Sequence, residues 1–274
     1  MVLNENLKVK LNRLISLLNG KKVIIAFSGG VDSSLLGFLS YKYAQGTLLV
    51  TEQSVLYPRE EIEATKEFSK KFEIPHIIIE RNPLEDVQFC INPKDRCYIC
   101  KTGLYNEILK IKEEKEYDLV LDGSNYDDLN DYRPGIKALE DLNIMTPYLL
   151  SKVSKQEIRD LCEHFNLEVK SKPSMACFSS RIPYGQEISK EKLNRIREAE
   201  RFLKEHFHFK QLRVRHHENG LARIELLPKD LDRILDSKMF DKIVKKFKII
   251  GFKYVTLDIE GFRSGSMNEI LDKP

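Results

Sequence analysis

The sequence predicts an α/β fold: an open, mostly parallel sheet followed by a small α+β C-terminal domain. Short uninterrupted apolar runs alternate with longer helical patterns up to about residue 172. A Gly-rich turn sits at the first strand-to-helix junction. Beyond a Pro/Ser-rich connector the order changes to helix, hairpin, helix, strand. The expected boundary gives domains 1–185 and 186–274.

Val23–Phe27, Leu48–Val50, Ile77–Ile79 and Leu119–Leu121 suit strands buried on both faces. Between them, Ser33 to Ala44, Pro58 to Phe72 and Tyr98 to Lys115 carry helical periodicity. Pro58 fits a helix start, and Glu60, Glu61 and Glu63 follow near the positive end of the dipole. Ser154-Lys-Gln-Glu157 reads as a capping box opening a helix to Phe165. The second part runs as a helix from about Ser189 to Glu205, strands at 212–216 and 221–226, helical patterns at 230–235 and 239–247, and a last strand at 254–258.

The composition excludes several classes. The chain has 274 residues, 42% hydrophobic and 32% charged, enough for a real core in one or two domains. Lys+Arg 45 against Asp+Glu 42 leaves +3, so charge alone does not favour a nucleic-acid partner. No apolar run is long enough to span a membrane, and the amphipathic N-terminus lacks a signal-peptide core. Five cysteines, an odd number, argue for a reducing cytoplasm over a disulfide framework.

Ser28-Gly29-Gly30-Val31-Asp32-Ser33 lies where a buried strand meets a helix. A helix N-terminus offers N–H groups to a phosphate, and two glycines let the backbone approach closely. Ser28 and Ser33 add hydroxyls, and Asp32 can hold Mg²⁺ against phosphate oxygens. A second loop, Asp122-Gly123-Ser124-Asn125-Tyr126-Asp127-Asp128, follows another buried strand and should emerge at the same sheet edge. Its carboxylates, with Asp131, offer metal ligands. Cys97-Tyr-Ile-Cys100 suits a redox dithiol, zinc or an iron–sulfur cluster, and Cys177 supplies one remote thiol. Cys90 and Cys162 lie in apolar contexts and read as structural.

In the arginine strand, Arg213 and Arg215 face one way. A three-residue loop, Glu218-Asn219-Gly220, pairs Leu212 with Leu226, Arg213 with Glu225, Val214 with Ile224 and Arg215 with Arg223. A two-residue turn would instead place charge on the apolar face. The expected polar face holds three arginines around one glutamate, suited to phosphate.

The turn SGGxDS resembles the PP-loop of ATP pyrophosphatases, which cleave ATP between its α and β phosphates. Cys97-Tyr-Ile-Cys100-Lys101, the stretch Asp122–Gly135, the stretch Lys172–Gly185 and the tail Gly261–Gly265 are similar to the LarE family of ATP-dependent sulfur transferases. That resemblance implies adenylation of a carboxylate of pyridinium-3,5-biscarboxylic acid mononucleotide, followed by displacement of AMP by sulfur, in nickel-pincer nucleotide biosynthesis. It implies ATP and Mg²⁺ held by Ser28, Gly29, Gly30, Asp32, Ser33, Gly123 and Asn125. Arg213, Arg215 and Arg263 would hold the substrate phosphate, with Glu200 and Glu225 near the same pocket and Cys177, Asp32 and Arg181 catalytic. The presence of Cys97 and Cys100 beside Cys177 resembles the branch in which three thiolates hold a [4Fe–4S] cluster. A homo-oligomer, dimer or hexamer, is implied. A tRNA thiolase with the same loop and a three-cysteine cluster is the alternative; the near-neutral charge counts against it.

Overall fold

The computed structural model describes residues 3–130, 132–173, 176–234, 237–269 and 271. The chain forms two compact units. One comprises residues 1–82 and 95–175, and the other 83–94 and 176–274. The sequence places the division at residue 185, whereas the compact units part at 175 and exchange the segment 83–94. Hydrogen bonds tie 83–94 to residues 182–188, with Ile188 donating to the Cys90 carbonyl at 2.8 Å and one buried amide adding several more. Asn92 donates from Nδ2 to the carbonyls of Pro183 at 2.7 Å and Gln186 at 2.9 Å, and its own carbonyl accepts from Gly185. Buried backbone carbonyls need such partners, so 83–94 travels with the connector.

The first unit holds a four-stranded, all-parallel sheet: β1 (Lys22–Ala26), β2 (Gly46–Gln53), β3 (His76–Glu80) and β4 (Leu119–Leu121), in the order β3-β2-β1-β4. Alternate residues feed two cores, as a sheet covered on both faces requires. Val23, Ile25, Leu49 and Leu121 pack with Leu35, Leu36 and Leu39, with Leu7, Leu11, Leu14 and Leu18, and with Ile158 and Leu161. Ile24, Leu48, Val50 and Val120 pack with Tyr105, Ile108, Leu139 and Ile144. Helices Glu5–Leu18, Val31–Tyr43 and Lys155–His164 therefore cover one face, and Arg96–Glu114 and Pro134–Asp141 the other. Asn4 caps the first of these, accepting from the Leu7 N–H at 2.8 Å.

The strand order decides where a ligand can enter. The chain runs outward from β1 through β2 to β3, then returns to place β4 on the other side of β1. The loops leaving β1 and β4 emerge side by side at that switch point, the place where ligands bind at the carboxyl ends of the strands in open α/β sheets. The capping box at Ser154 forms as expected, with Ser154 accepting from the Glu157 N–H and Glu157 from the Ser154 N–H. Pro58 stands one residue earlier than expected, at the N-cap of Arg59–Phe72.

The second unit holds β5 (Leu212–His217), β6 (Leu221–Leu226) and β7 (Tyr254–Leu257), with β6 central. The hairpin takes the expected three-residue loop and the expected pairing, including Arg213 with Glu225 and Arg215 with Arg223. Asn219 and Gly220 both adopt positive φ, which closes the turn. Leu212, Val214, Ile224 and Leu226 form a core with Leu203, Phe247 and Phe252. Among the described residues no helix is long and apolar enough to cross a membrane.

Candidate active site

In the first unit, the turn after β1 is built to bring backbone close to a ligand. Gly29 has φ +67°, and a Cβ there would lie 2.9 Å from Thr65 Cγ2. Only glycine fits. The Ser28 and Ser33 hydroxyls meet at 3.1 Å, and the Ser28 hydroxyl accepts from the Gly30 N–H. The helix Val31–Tyr43 begins immediately after, so its first N–H groups and the positive end of its dipole face the turn. Gly29→Ala is expected to cost about 1–3 kcal/mol of stability in strain and clash. Gly30→Ala, with an ordinary φ and only the Ser28 hydroxyl nearby, should change a urea melt far less.

The loop after β4 meets this turn. A Cβ on Gly123 would stand 3.2 Å from the Ser33 nitrogen and 3.3 Å from Asp32 Cβ, so glycine permits the two loops to touch. Asp122 is buried, which by itself would raise its pKa. The Lys101 ammonium at 3.0 Å, the Ser124 hydroxyl and the Tyr105 hydroxyl outweigh burial and hold it down to about 2. Its oxygens are occupied.

The other acidic side chains of the loop also have partners within the protein. Asp127 accepts from the Lys155 N–H at 2.9 Å. Asp128 accepts from the Asn125 N–H and pairs with Arg133 at 2.9 Å. Asn125 accepts from the Asp127 N–H, so its carbonyl shapes the loop. Asp131 lies outside the described residues. These short-range bonds are invisible in spacing, because a carboxylate's partners depend on how the loop folds back.

Asp32 differs from them. One of its oxygens, Oδ2, is bonded to the Lys155 ammonium, while Oδ1 is buried and has no hydrogen-bond partner. Burial raises its pKa and Asp128 adds to the rise, while Lys155 opposes it. An orphaned buried carboxylate oxygen beside a phosphate-type turn fits a hard cation such as Mg²⁺. Lys172 donates to the Gly29 carbonyl at 2.9 Å and pairs with Glu61 at 2.7 Å, fixing the turn from behind. The sequence reading missed both Lys155 and Lys172 as participants. Their partners are 123 and 143 residues away, and no local pattern reports that distance.

The second unit gathers a buried charge cluster. Arg181 is fully buried, binding Glu200 through Nε at 2.9 Å and Nη2 at 3.1 Å. It also donates to the carbonyls of Ala176 and Cys177. Glu200 accepts from the Val214 N–H at 3.0 Å as well, and despite burial its pKa is lowered, chiefly by Arg181. Arg215 binds Glu225 at 2.6 Å, the Ser180 carbonyl at 3.0 Å and the Ser266 hydroxyl at 2.8 Å. Arg223 shares Glu225 at 3.1 Å.

Burial and the neighbouring guanidinium of Arg181 lower the pKa of Arg213 to about 10, with Arg215 adding to the effect. Arg181, Arg213, Arg215 and Arg223 thus face Glu200, Glu225 and, 3.6 Å from Arg223, Asp258, so guanidiniums outnumber carboxylates by one. This face is buried, not solvated. Arg181, expected among the catalytic groups, has no exposed surface and donates to the Cys177 carbonyl. Arg263 is bound by Glu269 at 2.9 and 3.1 Å and by Glu260 at 3.0 Å, and Asp258 links it to the cluster, lying 3.7 Å from Arg263 and 3.6 Å from Arg223.

No family model matches the sequence. The chain is 37% identical over 253 residues to an uncharacterized protein of Synechocystis sp., covering 92% of this chain and 94% of that one. It is 35% identical over 262 residues to an uncharacterized protein of Methanocaldococcus jannaschii, covering 96% and 98%. It is also 32% identical over 260 residues to the pyridinium-3,5-bisthiocarboxylic acid mononucleotide synthase of Lactiplantibacillus plantarum, covering 92% and 91%. The chain belongs to the LarE family. It is accordingly an enzyme, of the sulfur transferase type.

Within this LarE-family chain the five cysteines form no disulfide. Cys97 and Cys100 lie one helical turn apart at the start of Arg96–Glu114, so both thiols share a face near the positive end of the dipole. Gly135 leaves room for the Lys101 side chain, whose Cδ would stand 3.0 Å from a Cβ there. Cys177, in the second unit, is half-buried at the N-cap of the turn Phe178–Arg181, with Sγ 2.9 Å from the Ser179 hydroxyl. Among the described residues no three His, Cys, Asp or Glu side chains are grouped around one metal-sized position. Soft thiols, two of them one turn apart, are the donor chemistry that an iron–sulfur cluster requires. Cys162 is buried in the first core, as expected, and burial pushes its thiol up to about 12. Cys90 is half-buried and donates to the Leu84 carbonyl.

Proposed function

We propose that the chain is an ATP-dependent sulfur transferase that converts pyridinium-3,5-biscarboxylic acid mononucleotide into its thiocarboxylate form. The observation that carries this reading is the 32% identity, over 92% of the chain, to a synthase named for the bisthiocarboxylic product. The sheet's switch point between β1 and β4, the Gly29-Gly30 turn and the orphaned Asp32 oxygen support the ATP half.

The chemistry needs two displacements. A substrate carboxylate oxygen attacks the α-phosphorus of ATP, the bond to the β-phosphate oxygen breaks, and pyrophosphate leaves. A sulfur nucleophile then attacks the acyl carbon, the C–O bond breaks, and AMP departs with that oxygen. The chain's own part in the first step is electrostatic: N–H groups at the helix start, with Asp32 positioning Mg²⁺, stabilise charge on the leaving pyrophosphate. Arg213 and Arg215 are proposed to anchor the nucleotide's phosphate through the excess positive charge of their cluster. Cys97, Cys100 and Cys177 would hold a [4Fe–4S] cluster, which when bound supplies an open iron for a transferable sulfide.

Anaerobic incubation with ATP, Mg²⁺, sulfide and the pyridinium mononucleotide should release AMP and pyrophosphate in step with oxygen-to-sulfur exchange, read by mass spectrometry. Pyrophosphate release without that mononucleotide dependence would reject the substrate. Reconstituted protein should hold about four irons per chain. Cys177→Ala should lose much of that iron, whereas full retention would reject the three-thiolate set.

A further inference from the structure

We propose that Lys155 is an ion-exchange residue of the nucleotide site. Its ammonium neutralises Asp32 while the site is ligand-free, and crosses to the triphosphate when a divalent cation arrives with the nucleotide. The proposal rests on the ATP reading above and deepens it. Nothing in the local sequence asks for this lysine: the capping box uses Ser154 and Glu157, and Lys155 stands between them.

The geometry around Asp32 is that of a half-filled seat. Its Oδ2 is bonded to the Lys155 ammonium and its Oδ1 is buried without a partner. A carboxylate so enclosed needs a counter-charge, and Lys155 is the one that contacts it. A divalent cation competes for the same carboxylate, and two positive charges on it repel, so its arrival displaces the ammonium. The backbone does not need to move. The Lys155 N–H is held by Asp127 at 2.9 Å, Glu157 is tied to Lys10 at 2.7 Å, and the Tyr148 hydroxyl donates to the Asp32 carbonyl at 3.0 Å. Only the four-carbon stem swings, and a lysine ammonium binds phosphate as a mobile point charge. Because the stem starts on a fixed helix, the ammonium stays near the turn, where phosphate oxygens would lie against the helix N-terminus. In consequence, the cation enters with the nucleotide and scarcely by itself.

Calorimetry on the full chain tests this. Mg·ATP should bind Lys155→Met at least about tenfold more weakly than the parent, and Lys155→Arg within roughly threefold of it. In an Asp32→Asn background, Lys155→Met should still weaken ATP binding, because the ammonium acts on phosphate as well as on the carboxylate. No further loss in that background would overturn the proposal and leave Lys155 a structural partner of Asp32. Mn²⁺ alone, followed by the paramagnetic resonance signal of the free ion, should bind Lys155→Met at least about threefold better than the parent. Equal Mn²⁺ binding would also overturn it. A parent chain that binds no Mg·ATP would instead reject the ATP reading itself.

Discussion

Arg181→Ala should destabilise the second unit by about 3–5 kcal/mol, the scale of leaving one member of a buried ion pair without its partner. Arg181 is fully buried, and Glu200 would keep its charge facing only the Val214 N–H and the nearby Arg213. The midpoint of a guanidinium melt should fall with little change in slope. Two further variants separate stability from position. Arg181→Met combined with Glu200→Leu should recover most of the loss, since a buried pair exchanged for apolar groups of similar size is often near neutral. That double variant should still fail in sulfur transfer, because the Ala176 carbonyl would lose its guanidinium and the Cys177 carbonyl would keep only Ser180 as donor. Full activity in the stable double variant would reduce Arg181 to a packing residue.

Asp32→Ala should lower substrate-dependent pyrophosphate release by a factor of roughly 10³ or more, taking several kcal/mol for metal stabilisation of the leaving group. The fold should survive, because the Asp32–Lys155 pair is partly exposed and the apolar core beneath it is untouched. Iron binding by the thiols should be unchanged, since Asp32 serves the phosphate end. A coupled phosphate assay reads the first quantity, and thermal unfolding the second. Release at the parental rate would assign Asp32 to favourable charge at the helix N-terminus alone.

Strands and their faces were legible because burial on both sides of a parallel sheet leaves an uninterrupted apolar run. Ile24-Ile25 therefore splits between two cores without any polar marker. The hairpin register was legible because a one-residue slip would have turned arginine onto the apolar face. The glycine turn was legible because its backbone constraint is local: Gly29 adopts a positive φ that its own residue type favours, whereas the clearance from Thr65 came only with the fold.

The sequence by itself determined the α/β class, the glycine turn, the pairing of β5 with β6 and the family. Only the tertiary structure decided what each charged side chain does. The Asp127 carboxylate, offered by the sequence as a metal ligand, accepts from the Lys155 N–H, and that of Asp128 accepts from the Asn125 N–H and pairs with Arg133. Arg181 is buried as a brace, and Lys155 reaches Asp32 across 123 positions. Periodicity and glycine conformation are properties of neighbours along the chain, so they survive in one dimension. The state of a charge is set by which opposite charge folding brings within hydrogen-bond reach and how much water it removes, and both depend on contacts distant in sequence.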